Sequence, residues 1–419
     1  MDEVPNVIVV VLDDVGVDQI GAYGWPGAPA TPTIDGLAER GLRFRHAWSM
    51  PVCSPSRAAL LSGQMPHRNH VGAVIHTNQA AELPLSVITI PELLAEAPQL
   101  WSSAAVGKWH LSSLSSPSGA EHPWLQGFQH FSGSLNNIVG ARTMVDWERV
   151  DFTRRTVSEV RFSSDAIVDD AVSLLPELRE PFFLYVAFHA AHEPLMVPPG
   201  VELPDPTDLN ALYAANVTYA DQQLGRLLDG LGPRLARTLV VVVGDNGTPE
   251  HGKDADGMDG AKGSFLEGGI NVPFVVAGPP VTARGVSDAR VHLVDLFPTM
   301  MDLASVPRVR QELDGRSLVG AFRDADAPVH DVIYTELRHP SSGPPWRRVE
   351  RCASDGEYKL VDELGEGERF YHLTAEGEAP VAESTIPSSA LRALRKELAR
   401  HPLGVTRTGE SEERSRSDR

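Results

Sequence analysis

A chain of 419 residues is long enough for one large core with a smaller unit appended. Its 56 acidic against 37 basic side chains give a net charge of −19, which weighs against nucleic acid or an anionic membrane as partner and requires a local cationic pocket for any anionic substrate. Two cysteines, Cys53 and Cys352, rule out a disulfide framework and are compatible with a reducing compartment.

Met1-Asp2-Glu3 leads almost directly into the apolar run Val7 to Leu12, which is too short for a signal-peptide core or a membrane span. Taken as the native start, this implies a cytoplasmic protein; a trimmed start would leave a periplasmic or secreted location open. The run is continuously apolar and β-branched, as in a central strand covered on both faces, and it ends at Asp13-Asp14. Thr33 to Gly41 reads as a short helix with Thr33 as cap and Gly41 as stop. Cys53-Ser54-Pro55-Ser56-Arg57 reads as a helix start, with Ser54 as N-cap and Pro55 at the first helical position. Thr89 begins another capped helix, and Leu100 to Val106 runs into Gly107-Lys108-Trp109-His110, where an extended chain would set Lys108 and His110 on one side.

Ser112 to about Ser164 is rich in Ser, Gly and Asn and reads as loops that shape a binding site. A helix over Ser164 to Leu178 follows, then a buried strand from Phe182 to Phe188 that ends at His189-Ala190-Ala191-His192-Glu193-Pro194. A long helix spans about Asp208 to Leu231, and a third buried strand, Leu239 to Val243, ends in Asp245-Asn246-Gly247. Gly260 to Gly269 is a glycine-spaced loop around Lys262, followed by a strand at Val272 to Gly278 and a helix through Leu293, Leu296, Met300 and Leu303. From Asp331 on, Val332 to Tyr334, Tyr358 to Val361 and Arg369 to His372 suit a small antiparallel sheet, with an amphipathic helix at Ser388 to His401.

The expected fold is α/β. A large, mixed but mostly parallel sheet is flanked by helices on both faces over residues 1–325, a small antiparallel α+β unit covers 326–405, and a charged, disordered tail covers 406–419.

The chemistry gathers at strand ends, where open α/β sheets keep their ligands. Two carboxylates ~4 Å apart at an effective dielectric of ~20 repel by roughly 4 kcal/mol, so a cation between Asp13 and Asp14 is economical. Asp13, Asp14, Asp245 and Asn246 form a hard oxygen set that suits Ca²⁺ or Mg²⁺ rather than zinc. Arg57, Lys108 and Lys262 supply cations. His110, His189 and His192 are acid–base candidates, with His251 a further one. With a thiol at an anion-binding helix end, these parts describe a site for a tetrahedral oxyanion ester.

Cys53-Ser54-Pro55-Ser56-Arg57 with Leu60-Leu61-Ser62-Gly63 resembles the type I sulfatase signature C-x-P-S-R-x-x-x-L-T-G, with Ser62 for the usual Thr. Gly107-Lys108-Trp109-His110-Leu111 is similar to the second signature of that family, which lies in the alkaline phosphatase superfamily. The pairs Asp13-Asp14 and Asp245-Asn246, and the loop around Lys262, resemble its metal ligands and its later lysine loop. The resemblance runs in order from about residue 5 to 400. It departs at Leu100-Trp101-Ser102-Ser103, which lacks the usual Gly-Tyr, and at Asn271, where many relatives carry Arg.

The resemblance implies an arylsulfatase-like hydrolase of sulfuric esters in which a maturing enzyme converts Cys53 to formylglycine. The hydrated aldehyde would attack sulfur and release sulfate by elimination. It implies one Ca²⁺ per chain, Mg²⁺ being the alternative, held by Asp13, Asp14, Asp245 and Asn246 beside residue 53. Arg57 and Lys108 would hold the formylglycine, His110 would assist elimination, and His192, favoured over His189, would act with Lys262 on the leaving oxygen. The implied substrate is a small-molecule or saccharide sulfate ester. Rival readings are a phosphonate monoester or phosphodiester hydrolase using the same site, and a non-catalytic relative that binds sulfated ligands.

Overall fold

The computed structural model describes residues 4–253, 257–374 and 377–404; the predicted tail at 406–419 lies outside them. In chain order the strands are β1 (Asn6–Leu12), β2 (Leu42–Trp48), β3 (Ser102–Gly107), β4 (His130–Ser132), β5 (Trp147–Val150), β6 (Thr156–Glu159), β7 (Phe182–Ala187), β8 (Thr238–Gly244), β9 (Phe274–Ala277), β10 (Gly285–His292), β11 (Ile333–His339), β12 (Arg348–Ser354), β13 (Tyr358–Glu363), β14 (Gly367–Thr374) and β15 (Gly377–Val381). An eight-stranded sheet has the order β10-β2-β9-β8-β1-β7-β3-β4, and β9 alone runs against the others. A second sheet has the order β11-β12-β13-β14-β15 and is antiparallel throughout.

The unbroken apolar run of β1 has the reason expected of it. Val7, Val9 and Val11 enter one core and Ile8, Val10 and Leu12 the other, all at most 2% exposed. Burying each such side chain contributes about 1.5–3 kcal/mol. The first core takes Ala58, Leu60 and Leu61 from the helix Cys53–Ser62. The second takes Val217, Leu224, Leu227 and Leu228 from the helix Leu209–Leu231, whose first turn is capped by the Asp208 carboxylate. The strand that carries the acidic pair is thus clamped between the cysteine-bearing helix and the longest helix. The small sheet docks on the same region: Met50, Ala59 and Met65 share a core with Tyr334, Leu360, Phe370 and the helix residues Leu394 and Leu398. No helix of the described residues is long and apolar enough to cross a membrane.

Several local expectations are corrected. The first helix spans Pro32–Glu39 with Thr31 at its cap, and the Thr33 N–H is taken by the Asp221 carboxylate. The second starts at Cys53 behind Val52, so Ser54 and Pro55 lie inside its first turn, where the missing proline N–H costs no helical bond; the Ser54 hydroxyl instead accepts from the Ile75 N–H. Lys108 to His110 is not extended, because Gly107 and His110 both adopt positive φ (96° and 60°) as the chain leaves β3. The 112–164 stretch is not all loop. It holds β4 and the β5–β6 ribbon, which buries Trp147, Ile138 and Met144 against Phe162 and Tyr219.

Just past β4, Gly133 has no room for a side chain: an added Cβ would stand 1.8 Å from the Gly107 carbonyl oxygen. Gly133→Ala is expected to lower stability by about 3 kcal/mol, read as the shift in urea midpoint at unchanged slope.

Candidate active site

Parallel pairing of β1 with β8 fixes the centre of the site. The register Leu12 with Gly244 sets Asp13 beside Asp245, and the Asp245 N–H donates to the Leu12 carbonyl (3.1 Å). Asp14 takes a left-handed conformation (φ 63°), its N–H donates to Asp245 Oδ1 (3.1 Å), and the Tyr213 hydroxyl donates to its carbonyl (2.7 Å). This turn aims both carboxylates of the pair at the start of the Cys53–Ser62 helix. Cys53 Sγ lies 4.0 Å from Asp14 Oδ1, and one ligand atom each from Asp13, Asp14, Cys53 and Asp245 falls within 4.8 Å of the others. Asn246 joins them by donating from Nδ2 to Asp14 Oδ1 (2.8 Å).

Cations surround this acidic knot. Arg57, fully buried, donates from Nε to Asp245 Oδ2 (2.9 Å) and from Nη1 to the Lys108 carbonyl (2.8 Å). The Lys108 ammonium is hydrogen-bonded to Asp13 Oδ2 in a fully buried pair. Lys262, brought in by its glycine loop and 21% exposed, reaches both Asp14 oxygens at 2.7 Å. Burial alone would raise the Asp14 pKa, but Lys262, His192 and Lys108 outweigh it and hold the carboxyl well below the usual range. Asp245 goes the other way: burial and the neighbouring Asp13 charge push it up to about 6.

The histidines separate by position. His192 sits at the centre, its Nε2 4.0 Å from Asp14 Oδ2, its Nδ1 against the Glu193 carbonyl (2.6 Å) and its side chain 16% exposed. Burial lowers it to about 4, against the pull of Asp14 and together with Lys108 and Lys262. His189 turns away, bonding Ser134 Oγ through Nε2 (2.7 Å) and meeting the Trp147 ring at 5.1 Å. His110 Nε2 is 3.2 Å from the Ile75 carbonyl; burial, then Lys108 and Arg57, keep the ring well below its ordinary pKa. A carbonyl only accepts, so Nε2 carries the hydrogen and Nδ1, buried without a partner, is the free base. His251 lies out by Glu193 (3.9 Å) and edge-on to Tyr213.

Tyr213 and Ser134 escape sequence reading: the first is one residue in a helical apolar stripe, the second lies in the segment with no periodicity. Ser134 also opens onto a cavity of about 270 Å³, lined in part by Ser113, Asn136, Asn137, Arg142 and Trp147. Its wall is shared with the catalytic strand end, because the Ser134 and Leu135 carbonyls accept from the Trp109 and His110 N–H groups (2.9 and 3.0 Å).

Three carboxylates, an amide oxygen and three cations around a helix start, at the carboxyl ends of β1 and β8, define an α/β hydrolase of tetrahedral oxyanion esters. The particular family follows from comparison: residues 5–306 match the sulfatase family model. The chain belongs to that family and is a hydrolase of sulfuric esters. It is 30% identical to arylsulfatase A of Bos taurus over 75% of this chain and 67% of that protein. With N-acetylgalactosamine-6-sulfatase of Canis lupus familiaris it shares 30% identity over 79% of this chain and 68% of that protein. Among solved structures, Ps i-CgsB in complex with a neocarrahexaose superposes with a TM-score of 0.80 at 25% identity, covering 96% of this chain and 94% of that one.

Proposed function

We propose that this sulfatase works through a formylglycine made from Cys53 and a divalent cation, Ca²⁺ before Mg²⁺, on sulfate esters of saccharides. The carrying observation is a pair of orphaned oxygens: Asp13 Oδ1 and Asn246 Oδ1 are both buried without a hydrogen-bond partner, beside Asp14 and Asp245. Buried acceptors left unpaired are costly, and a hard cation satisfies them. Asp13, Asp14, Asp245 and Asn246 would hold it. When present, the cation supplies positive charge for the sulfuryl oxygens and the hydrated aldehyde supplies an oxygen nucleophile.

The other duties fall to side chains already in position. Arg57 fixes Asp245 and the Lys108 carbonyl, so the acidic cluster keeps its shape, and Lys108 neutralises Asp13. His110 offers Nδ1 as a proton acceptor beside Lys108. The Glu193 carbonyl fixes a hydrogen on His192 Nδ1, which leaves Nε2 unprotonated at neutral pH and able to accept from the substrate. Burial works against the Lys262 charge, but Asp14 and Asp13 hold it on, so Lys262 is the cation at hand for the leaving oxygen. Lys262→Ala is expected to reduce kcat by about 10²–10³-fold, and more for a sugar sulfate than for a nitrophenyl sulfate, whose leaving group needs less help.

The saccharide class is supported by the mixed lining of the 270 Å³ cavity at Ser134, where the hydroxyls and amides of Ser113, Ser134, Asn136 and Asn137 stand beside the apolar Trp147 ring, as suits a sugar, and by the family's saccharide-bound relatives. A panel of sulfated monosaccharides against nitrophenyl sulfate tests it: kcat/KM should be higher for a sugar, and uniformly poor sugar turnover would overturn it. Chelation followed by readdition of Ca²⁺ or Mg²⁺ tests the metal, with Ca²⁺ restoring more activity.

A further inference from the structure

We infer that His67, Asp314 and His401 form a second metal site, for a zinc-class transition ion, which fastens the C-terminal helix to the catalytic body. The three side chains come from distant parts of the chain: the short helix Pro66–Asn69, the segment after the helix Leu296–Leu303, and the C-cap of the helix Ser388–Arg400. One ligand atom from each lies within 4.8 Å of the others. All three side chains are at least nine-tenths buried, at 4%, 5% and 6% exposure.

Two observations point to a ligand rather than to packing. First, His67 Nε2 and His401 Nδ1 are both buried with no hydrogen-bond partner. Second, the opposite nitrogen of each ring is held by a carboxylate: His67 Nδ1 by Glu336 Oε1 (3.0 Å) and His401 Nε2 by Glu397 Oε1 (3.3 Å). A carboxylate behind each imidazole fixes its tautomer and frees the other nitrogen as a basic lone pair, the usual setting of a metal-ligating histidine. Ring orientation is fixed as well, since Tyr334 stacks on His401 at 3.7 Å and His67 meets it edge-on at 5.0 Å.

Glu312, Asp314, Glu336 and Glu397 face Arg68, Arg338 and Arg400, and Arg316 lines the same cavity, so with neutral imidazoles the charges balance and the donor set decides what binds. Two imidazoles and one carboxylate suit Zn²⁺, Co²⁺ or Ni²⁺, unlike the all-oxygen set at Asp13. A cavity of about 30 Å³ against Asp314 and His401 leaves room for a water as fourth ligand. Asp314 also donates its N–H to the Gly63 carbonyl, at the end of the cysteine-bearing helix, so the site ties the last helix to that element.

The test uses Cys53→Ala/Asp245→Ala protein, which removes a donor both from the oxygen set and from the Asp14, Cys53 and His192 group beside it, titrated with Zn²⁺ against a chromophoric chelator, and with Co²⁺ by visible absorption. One equivalent of Zn²⁺ and the intense visible bands of tetrahedral Co²⁺ are expected. Adding His401→Gln, at a helix end where folding is least at risk, should weaken Zn²⁺ at least about 100-fold, and Glu397→Gln about ten-fold. Circular dichroism confirms that each variant is folded, and His67→Gln serves as a second ligand variant if one fails. Absence of Zn²⁺ binding, or binding unchanged by both ligand variants, would overturn the site. Neither result bears on the formylglycine and Ca²⁺ reading.

Discussion

Cys53→Ala is expected to lower kcat on a nitrophenyl sulfate by about 10⁴-fold or more, while shifting stability by no more than about 1 kcal/mol. The stability side follows from the thiol's contacts: its hydrogen bond to Asp14 Oδ1 is long, at 4.0 Å, so truncation breaks no strong bond. The activity side follows from the thiol's chemistry. Burial pushes Cys53 up to about 12, beyond the opposing effect of Lys108 and Lys262. The thiol is therefore protonated at neutral pH, and a soft sulfur is a poor neighbour for a hard cation. Protein whose Cys53 peptide has the mass of an encoded thiol should therefore be as inactive as the alanine variant, and only protein with the aldehyde mass should turn over. Parallel mass spectrometry and rate measurement on preparations of different maturation check this. A variant retaining more than about a hundredth of wild-type kcat would remove Cys53 from the nucleophile's position.

The sheet was legible where strands are buried on both faces. β1, β7 and β8 are continuous apolar runs because each side of the sheet carries a helix layer, and in β1 no other pattern competes with the five β-branched residues Val7 to Val11 in succession. The edges were not legible. β2 reads Leu-Arg-Phe-Arg-His-Ala-Trp and β10 Gly-Val-Ser-Asp-Ala-Arg-Val-His, sequences whose charges face solvent at or near the sheet margin, and β4 is three residues long. β9 is antiparallel, a direction no composition encodes, since all four of its apolar residues are buried and carry no signal of which way they run.

The candidate site divides in the same way. Side chains delivered by strand ends, Asp13, Asp14, Asp245 and Asn246, could be paired from sequence because parallel strands deliver their ends to one edge. His110 and Lys108 could not be oriented, since that depends on two positive φ angles after β3. Ser134 and Trp147 belong to a segment whose order comes from a small separate core, without the periodicity that would announce it. The His67, Asp314 and His401 group spans more than three hundred residues with no spacing signal, so only the docking of the small sheet brings it together.

Asp245→Ala is expected to remove both the catalytic cation and at least about 10³-fold of kcat, and to destabilise the protein by about 3 kcal/mol. Asp245 has two duties that pull in opposite directions. Toward Asp13 it is a repelled carboxylate, pushed up to about 6 by burial and that charge. Toward Arg57 it is the partner that accepts from Nε at 2.9 Å and lies 2.7 Å from Nη2, both side chains being buried. Losing the repulsion is favourable, but a buried guanidinium left with the Lys108 carbonyl and with Asp13 Oδ1 at 3.6 Å, too far for a hydrogen bond, costs more. Asp245→Asn separates the two effects: the amide oxygen can still accept from Arg57, so stability should recover by more than half while metal content stays low. Since Asp245 must lose its proton to bind a cation, wild-type Ca²⁺ affinity should be flat above pH 6 and fall up to about tenfold per pH unit below it, with a proton released on binding. Calorimetric titration in two buffers of different ionisation enthalpy reads that proton directly, and an affinity independent of pH between 5 and 7 would mean that the Asp245 carboxyl is ionised throughout that range and is not pushed up to about 6.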